Sequence, residues 1–162
     1  GTIIGGTQPF MANRVLTNNG AGITISGSSG NRVLGNEIRG NLLDGITLVN
    51  AVGNTIGALG AGNTILSNGL NGITVAGNSR GTSIVANSIV DSGSSGLLLN
   101  AATNLLVGGT ATGAGNTIVT SAGYGLLAVG PCNRTRVIRN LIAGNTLGNV
   151  DLASATGITY VP

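Results

Sequence analysis

Acid–base chemistry in this chain would fall to four carboxylates, Glu37, Asp44, Asp91 and Asp151, because there is no His. Hydrolysis of a glycosidic bond needs two facing carboxylates, and a calcium site needs several clustered ones. The sequence offers neither. In the repeat register set out below, Glu37 and Asp151 face outward, Asp44 precedes a strand and Asp91 falls in a bend. No two acids share a column on neighbouring repeats. The seven basic residues are all Arg, which stays protonated near neutral pH and makes a poor base. Cys132 stands alone, so neither an intrachain disulfide nor a Cys-based metal site can form. No catalytic residue, cofactor or metal is expected. Arg14 and Glu37 occupy equivalent positions on adjacent repeats, which predicts a cross-repeat ion pair worth a few tenths of a kcal/mol.

Binding chemistry is also sparse. The net charge of +3 reflects few acids rather than a dense basic stripe, and aromatics make up only 2 % of the chain. Nucleic-acid binding calls for both a basic stripe and stacking partners, so none is expected. Sugar platforms could come only from Phe10, Tyr124 and Tyr160. Asn133-Arg134-Thr135 is a formal glycosylation sequon, a match that arises easily by chance. No apolar run is long enough to predict membrane insertion. The chain begins at Gly1 without a basic, apolar leader, which suggests a processed product or a piece of something longer.

The elements that position these residues come from a repeat. Gly followed by an apolar alternation recurs at Gly22-Ile23-Thr24-Ile25, Gly45-Ile46-Thr47-Leu48, Gly72-Ile73-Thr74-Val75, Gly96-Leu97-Leu98-Leu99 and Gly125-Leu126-Leu127-Ala128. A degenerate copy follows at Asn149-Val150-Asp151-Leu152. Nine residues before each stands Asn13, Asn36, Asn63, Asn87, Asn116 or Asn140, and two residues after each Asn comes Val or Ile. Short and long units alternate, and the extra residues fall at Thr7 to Ala12, Gly57 to Gly62 and Gly108 to Gly115. Recurring in every second unit, these loops should line up on one flank.

Each unit reads as three short strands. In the second, side-chain alternation places Ile38, Ile46 and Leu48 on one side and Glu37, Arg39 and Thr47 on the other. One unit cannot bury its apolar face alone, whereas stacked units bury a continuous column. The fold class predicted is all-β, a right-handed single-stranded parallel β-helix of about six rungs. One domain is expected over 1–162, with rungs near 1–30, 31–53, 54–81, 82–104, 105–133 and 134–157, and residues 158–162 starting another. The Asn column is read as a structural ladder: Asn tolerates a left-handed bend, and its amide can bond to the amides above and below. The Gly column is read as bend geometry.

The pattern Asn-x-Ile … Asn … Gly-Ile-x-Leu resembles the pectate-lyase-like parallel β-helix repeats of bacterial surface and secreted proteins. Ile4-Gly5-Gly6-Thr7 and Gly113-Ala114-Gly115-Asn116-Thr117-Ile118 look especially like the long repetitive members. The resemblance implies the fold. It leaves activity open, because the group includes lyases, hydrolases, adhesins and plain spacers. An extracellular or cell-surface location follows from it as an expectation.

Two outward columns are unexpectedly apolar, one through Leu66, Val90 and Val119, the other where Leu98 and Leu127 replace the Thr residues at 24, 47 and 74. That replacement spoils the Thr array an ice-binding surface would need. Contiguous apolar stripes mark interfaces. The last segment, Gly157 to Pro162, falls in phase with the first, and neither carries a polar cap. The candidate assembly surface is therefore Ile3, Ile4, Ile158, Tyr160 and Val161 at the ends, with the two outward stripes. The function expected is a non-catalytic structural solenoid, its partner another copy stacked head to tail and in part sideways. The alternatives are a carbohydrate-binding or carbohydrate-active β-helix, which would make polysaccharide the partner, and an adhesin segment.

Overall fold

Ile, Leu and Val at every second strand position, between residues that bend the chain sharply, produce a three-sided coil. The computed structural model describes residues 1–162. It is a right-handed parallel β-helix of about six coils. The first face stacks Ile3–Gly5, Arg32–Leu34, Thr55–Ile56, Ser83–Ile84 and Leu106–Gly108. The second stacks Arg14–Leu16, Glu37–Arg39, Thr64–Leu66, Ser88–Val90, Thr117–Val119 and Leu141–Ala143. The third stacks Ile23–Ser26, Ile46–Val49, Ile73–Ala76 and Leu97–Asn100. Every pairing is parallel, each strand bonding its equivalents one rung away.

The last two rungs depart from three short strands. Tyr124–Ile138 and Gly148–Val161 run from the third face into the first without a break, with register shifts between Leu127 and Val129 and between Pro131 and Thr135. They join those two faces into one eleven-stranded sheet. The only helical element among the described residues is a short 3₁₀ turn, Pro9–Met11, in the first long loop.

The core is a set of single-residue columns. Val15, Ile38, Ile65, Ile89, Ile118 and Ile142 stack inside the second face, and Ile23, Ile46, Ile73, Leu97, Leu126 and Val150 inside the third. Residues in the middle rungs are fully buried, each contributing about 1.5–3 kcal/mol of transfer free energy. Glu37 and Arg39 point outward beside buried Ile38, as the alternation predicts.

The long loops do align. Residues 6–13, 57–63 and 109–116 all join the first face to the second, on alternate rungs. They brace the short rungs between them: Gly6 N–H donates to Leu34 O at 3.0 Å, Gly35 N–H to Ala61 O at 2.9 Å and Ala86 N–H to Ala114 O at 3.0 Å.

The Asn ladder forms, but its members are not the left-handed residues. Nδ2 of each Asn donates to Oδ1 of the next, from Asn13 through Asn36, Asn63, Asn87 and Asn116 to Asn140, at 2.8–3.1 Å. Positive φ falls elsewhere: on Gly35, Ala86 and Arg139 just before ladder residues, and on Thr17, Gly40, Ser67, Asp91, Thr120 and Gly144 just after the second-face strands. The Gly column needs a different correction. Gly22, Gly45, Gly72, Gly96 and Gly125 have no positive φ. A Cβ on Gly45 would stand 2.6 Å from both Gly72 O and Ile65 Cγ2. These glycines are required by the close approach of one rung to the next.

Candidate functional site

All four carboxylates are held by local structural bonds. Glu37 accepts from Arg14 Nε at 2.7 Å and Arg39 Nε at 2.8 Å, the first being the cross-rung pair anticipated from the register. The Arg14 hydrogen bond does most to hold the Glu37 carboxyl below its usual range. Asp44 extends an amide ladder: its Oδ1 accepts from Asn71 N–H at 2.9 Å and Nδ2 at 3.2 Å, and its Oδ2 accepts from the Thr47 hydroxyl. Asp91 accepts from the Ser67 hydroxyl at 2.8 Å, and Asp151 caps Ala153 N–H at 2.9 Å.

Further ladders run beside the anticipated one. Asn18 donates to Asn41 at 2.8 Å and Asn41 to Asn68 at 2.9 Å. This ladder is interrupted at Ser92 and Ser121, whose side chains are shorter, and the buried Ser121 hydroxyl has no protein partner. Cys132 is buried with its Sγ 3.7 Å from Val129 O, and burial pushes its thiol pKa up. Its column counterpart Ser79 makes the analogous bond to Ala76 O at 2.6 Å. Asn133, in the sequon, is exposed beside it.

The assembly residues divide by position. Ile3 is exposed, while Ile4 and Ile158 pack against the core. Tyr160 pairs with Val137 at the end of the inward column that begins at Ile4, and Val161 is exposed beside it. Leu66, Val90, Val119, Leu98 and Leu127 are half-buried, each beside its column neighbours. Other exposed apolar side chains include Phe10, Leu42, Leu43, Leu59 and Leu70 on turns and loops, and Leu141 on the last strand of the second face.

Charge is sided. Glu37 lies on the second face, Asp44 and Asp91 in the turns leading to the third, and Asp151 on the third. Arg14 and Arg39 share Glu37. The other five arginines lie on the first face or its flanking turns: Arg32 and Arg136 on the face, Arg80 and Arg134 where the third face turns into it, and Arg139 where it turns into the second. That flank carries no acid. A cleft of about 550 Å³ opens there, lined by Arg80, Thr103, Asn104, Asn133 and Arg134. Sequence spacing does not disclose this cleft, because Arg80 reaches it from two rungs away. A signal was present: Arg134 falls where earlier rungs carry Gly30, Gly53 and Gly81.

Three faces of parallel strands wound around columns of Ile, Leu and Val, with Asn ladders along the turns, define a right-handed parallel β-helix repeat protein. Residues 5–160 match the family described as periplasmic copper-binding protein (NosD), and the chain belongs to that family. No curated protein sequence matches it. Among solved structures it is similar to the periplasmic alginate epimerase AlgG, with a TM-score of 0.77 at 17 % identity over 93 % of this chain. A double mutant of that enzyme gives a TM-score of 0.63 at 19 % identity over 85 % of this chain. The chain spans 38 % and 32 % of those two chains. At such identity the likeness is one of fold.

The family description raises the question of copper, and the donors here do not fit it. Copper is held by imidazole, thiolate or thioether groups. The chain has no His, one Met and one Cys. Cys132 is buried with its thiolate disfavoured, and Met11 lies on the first long loop, at a different corner and several rungs away. No three His, Cys, Asp or Glu side chains converge among the described residues.

Proposed function

We propose that this chain is a non-catalytic structural β-solenoid of the cell envelope, facing the extracellular side, that stacks head to tail into a filament, fibre or stalk. The observation that carries this reading is one column: Ile4, Val33, Ile56, Ile84, Val107, Val137 and Tyr160 run in register from the first rung to the last. Gly148–Val161 bonds one neighbouring strand and Ile3–Gly5 likewise, leaving parallel edges of matching register at opposite ends. A further rung, in an extension of the chain or in a second copy, would continue both the ladder and the column. Open strand edges favour such pairing, and a heterologous contact that does not close makes a filament. The structural use of every carboxylate supports a non-catalytic role. The periplasmic descriptions of the family and of the epimerase support the envelope location.

Negative-stain electron microscopy and light scattering over a concentration series test the stacking. Particles of uniform width that lengthen with concentration, and that shorten in Tyr160→Asp and Val161→Lys variants, are expected. Monodisperse single solenoids at every concentration would remove the proposal. A second reading, carbohydrate binding, is favoured by the cleft between Arg80 and Arg134, and binding to a panel of neutral and acidic glycans tests it.

A further inference from the structure

We propose that the cleft between Arg80 and Arg134 binds a carboxylate-bearing polysaccharide, an inference that rests on the carbohydrate reading and narrows it to acidic chains. Three independent observations converge. The first is shape and lining: a cleft of about 550 Å³ brings two arginines together with the amides of Asn104 and Asn133 and the hydroxyl of Thr103. Guanidinium groups match carboxylates in a bidentate fork, while amides and hydroxyls match sugar hydroxyls. Arg80 bridges in register to Thr103 on the next rung, and Arg134 lies one rung further on. The two cations thus stand two rungs apart, roughly 10 Å along the axis, which suits a ligand carrying charge repeatedly along its length.

The second observation is the sided charge. Neither cleft arginine has a carboxylate within ion-pair distance among the described residues, whereas Arg14 and Arg39 both do. Arg136 and Arg32, on the adjoining face, extend the same field without an acid to neutralise it. A polyanion laid along this flank meets unspent cations throughout.

The third is backbone strain. Gly30, Gly53, Gly81, Asn104, Arg134 and Gly157 form one turn column, and all have positive φ, between 54° and 74°. Glycine adopts this conformation freely and Asn tolerates it, but Arg does not favour it. Of the three rungs that line the cleft, the one carrying Arg80 keeps Gly81 in this column, and the other two replace glycine by Asn104 and Arg134. The same conformation occurs at other turns, such as Ala86 and Thr120, so here the strain adds to the lining of the cleft and does not mark a site by itself. Nucleic acid is the less suitable polyanion, since no aromatic side chain lines the cleft to stack a base.

Isothermal titration calorimetry of the whole chain with polygalacturonate, its methyl ester, dextran and a poly-dT oligonucleotide tests the assignment. Binding is expected for polygalacturonate alone, weakening with salt. The Arg80→Gln/Arg134→Asn variant should lose at least tenfold in affinity, with Asn retained at the left-handed position to spare the fold. Arg80→Gln alone provides a second variant with the Arg134 turn untouched. Arg14→Gln, on the opposite flank, should leave affinity unchanged. Equal loss in Arg14→Gln would reduce the effect to net charge and overturn the proposal. Tighter binding of poly-dT, or no binding of polygalacturonate, would overturn it as well. Equal binding of the methyl ester or of dextran would overturn the acidic ligand but keep the carbohydrate reading; no binding to any glycan would end both.

Discussion

Asn63 and Asn87 lie on adjacent rungs and share two hydrogen bonds, both to one oxygen: Oδ1 of Asn87 accepts from Nδ2 of Asn63 at 2.8 Å and from its backbone N–H at 3.0 Å. Asn63 Nδ2 also donates to Val33 O at 2.8 Å, and its own Oδ1 accepts the equivalent pair from Asn36. Every polar atom of this buried amide is therefore used. Asn63→Ala strands two donors of Asn36 in the interior, and an unmet buried donor costs about 1–3 kcal/mol. The expected destabilisation is about 3 kcal/mol by urea unfolding. Asn13→Ala, at the exposed end of the ladder, removes only its side-chain donation to Asn36 and keeps the backbone one, so it should cost about 1 kcal/mol or less. Equal costs at the two sites would mean that the ladder does not bear on stability.

The Gly column makes a different prediction from the one its sequence pattern suggests. If Gly72 served a bend, Ala there would cost only backbone strain. The structure places its missing Cβ 2.6 Å from Gly96 O and in contact with Ile89 Cγ2. Gly72→Ala must push two rungs apart, and overpacking of this kind costs about 1–3 kcal/mol. Gly20, by contrast, has open space around its Cβ and no positive φ, so Gly20→Ala should be close to neutral. Thermal midpoints of the two variants decide between bend and close approach.

These two cases show what the sequence could and could not disclose. Period-two alternation and the recurring Asn-x-Ile spacing depend on which residues face inward, so strand positions, inward columns and the ladder could all be read directly. The same pattern is silent on why a residue type recurs. Gly at 45 looks the same whether it supplies a positive φ or room for Gly72 O, and only coordinates separate the two. The exposed Leu42, Leu43 and Leu70 fall in turns, where no alternation reports orientation. The arginine cleft was hidden for a further reason: Arg80 and Arg134 are far apart in the chain and line one cleft only through the stacking of rungs.

Glu37 gives a pH dependence whose sign follows from its partners. Arg14 lowers its pKa first and Arg39 adds to this, so the folded state holds the proton less tightly than the unfolded chain. The stabilisation is fully present above the unfolded-state value, about 4.3 for Glu, and is lost as pH falls through the lower folded-state value. Unfolding midpoints in urea should therefore show wild type above Glu37→Gln at pH 7. The gap should close as the pH drops below about 4. A gap that persists at pH 2.5 would assign the difference to packing of the side chain rather than to its charge.

Arg134 and Arg136 are two residues apart, and glycine should affect them in opposite directions. Arg136 sits in extended strand, where replacement by Gly gives up strand preference and raises the entropy of the unfolded chain, costing about 1 kcal/mol. Arg134 has φ 59°, where a side chain costs about 1–2 kcal/mol relative to Gly. The same unfolded-state penalty then meets a gain in the folded state, so Arg134→Gly should be neutral or stabilising. The difference between the two variants should be at least about 1 kcal/mol by thermal or urea unfolding. A residue whose removal stabilises the fold is not retained for the fold's sake, and its exposed guanidinium in the cleft is then what remains to explain it. If Arg134→Gly proves as costly as Arg136→Gly, the Arg134 side chain is holding the turn, and the backbone strain no longer counts toward a ligand.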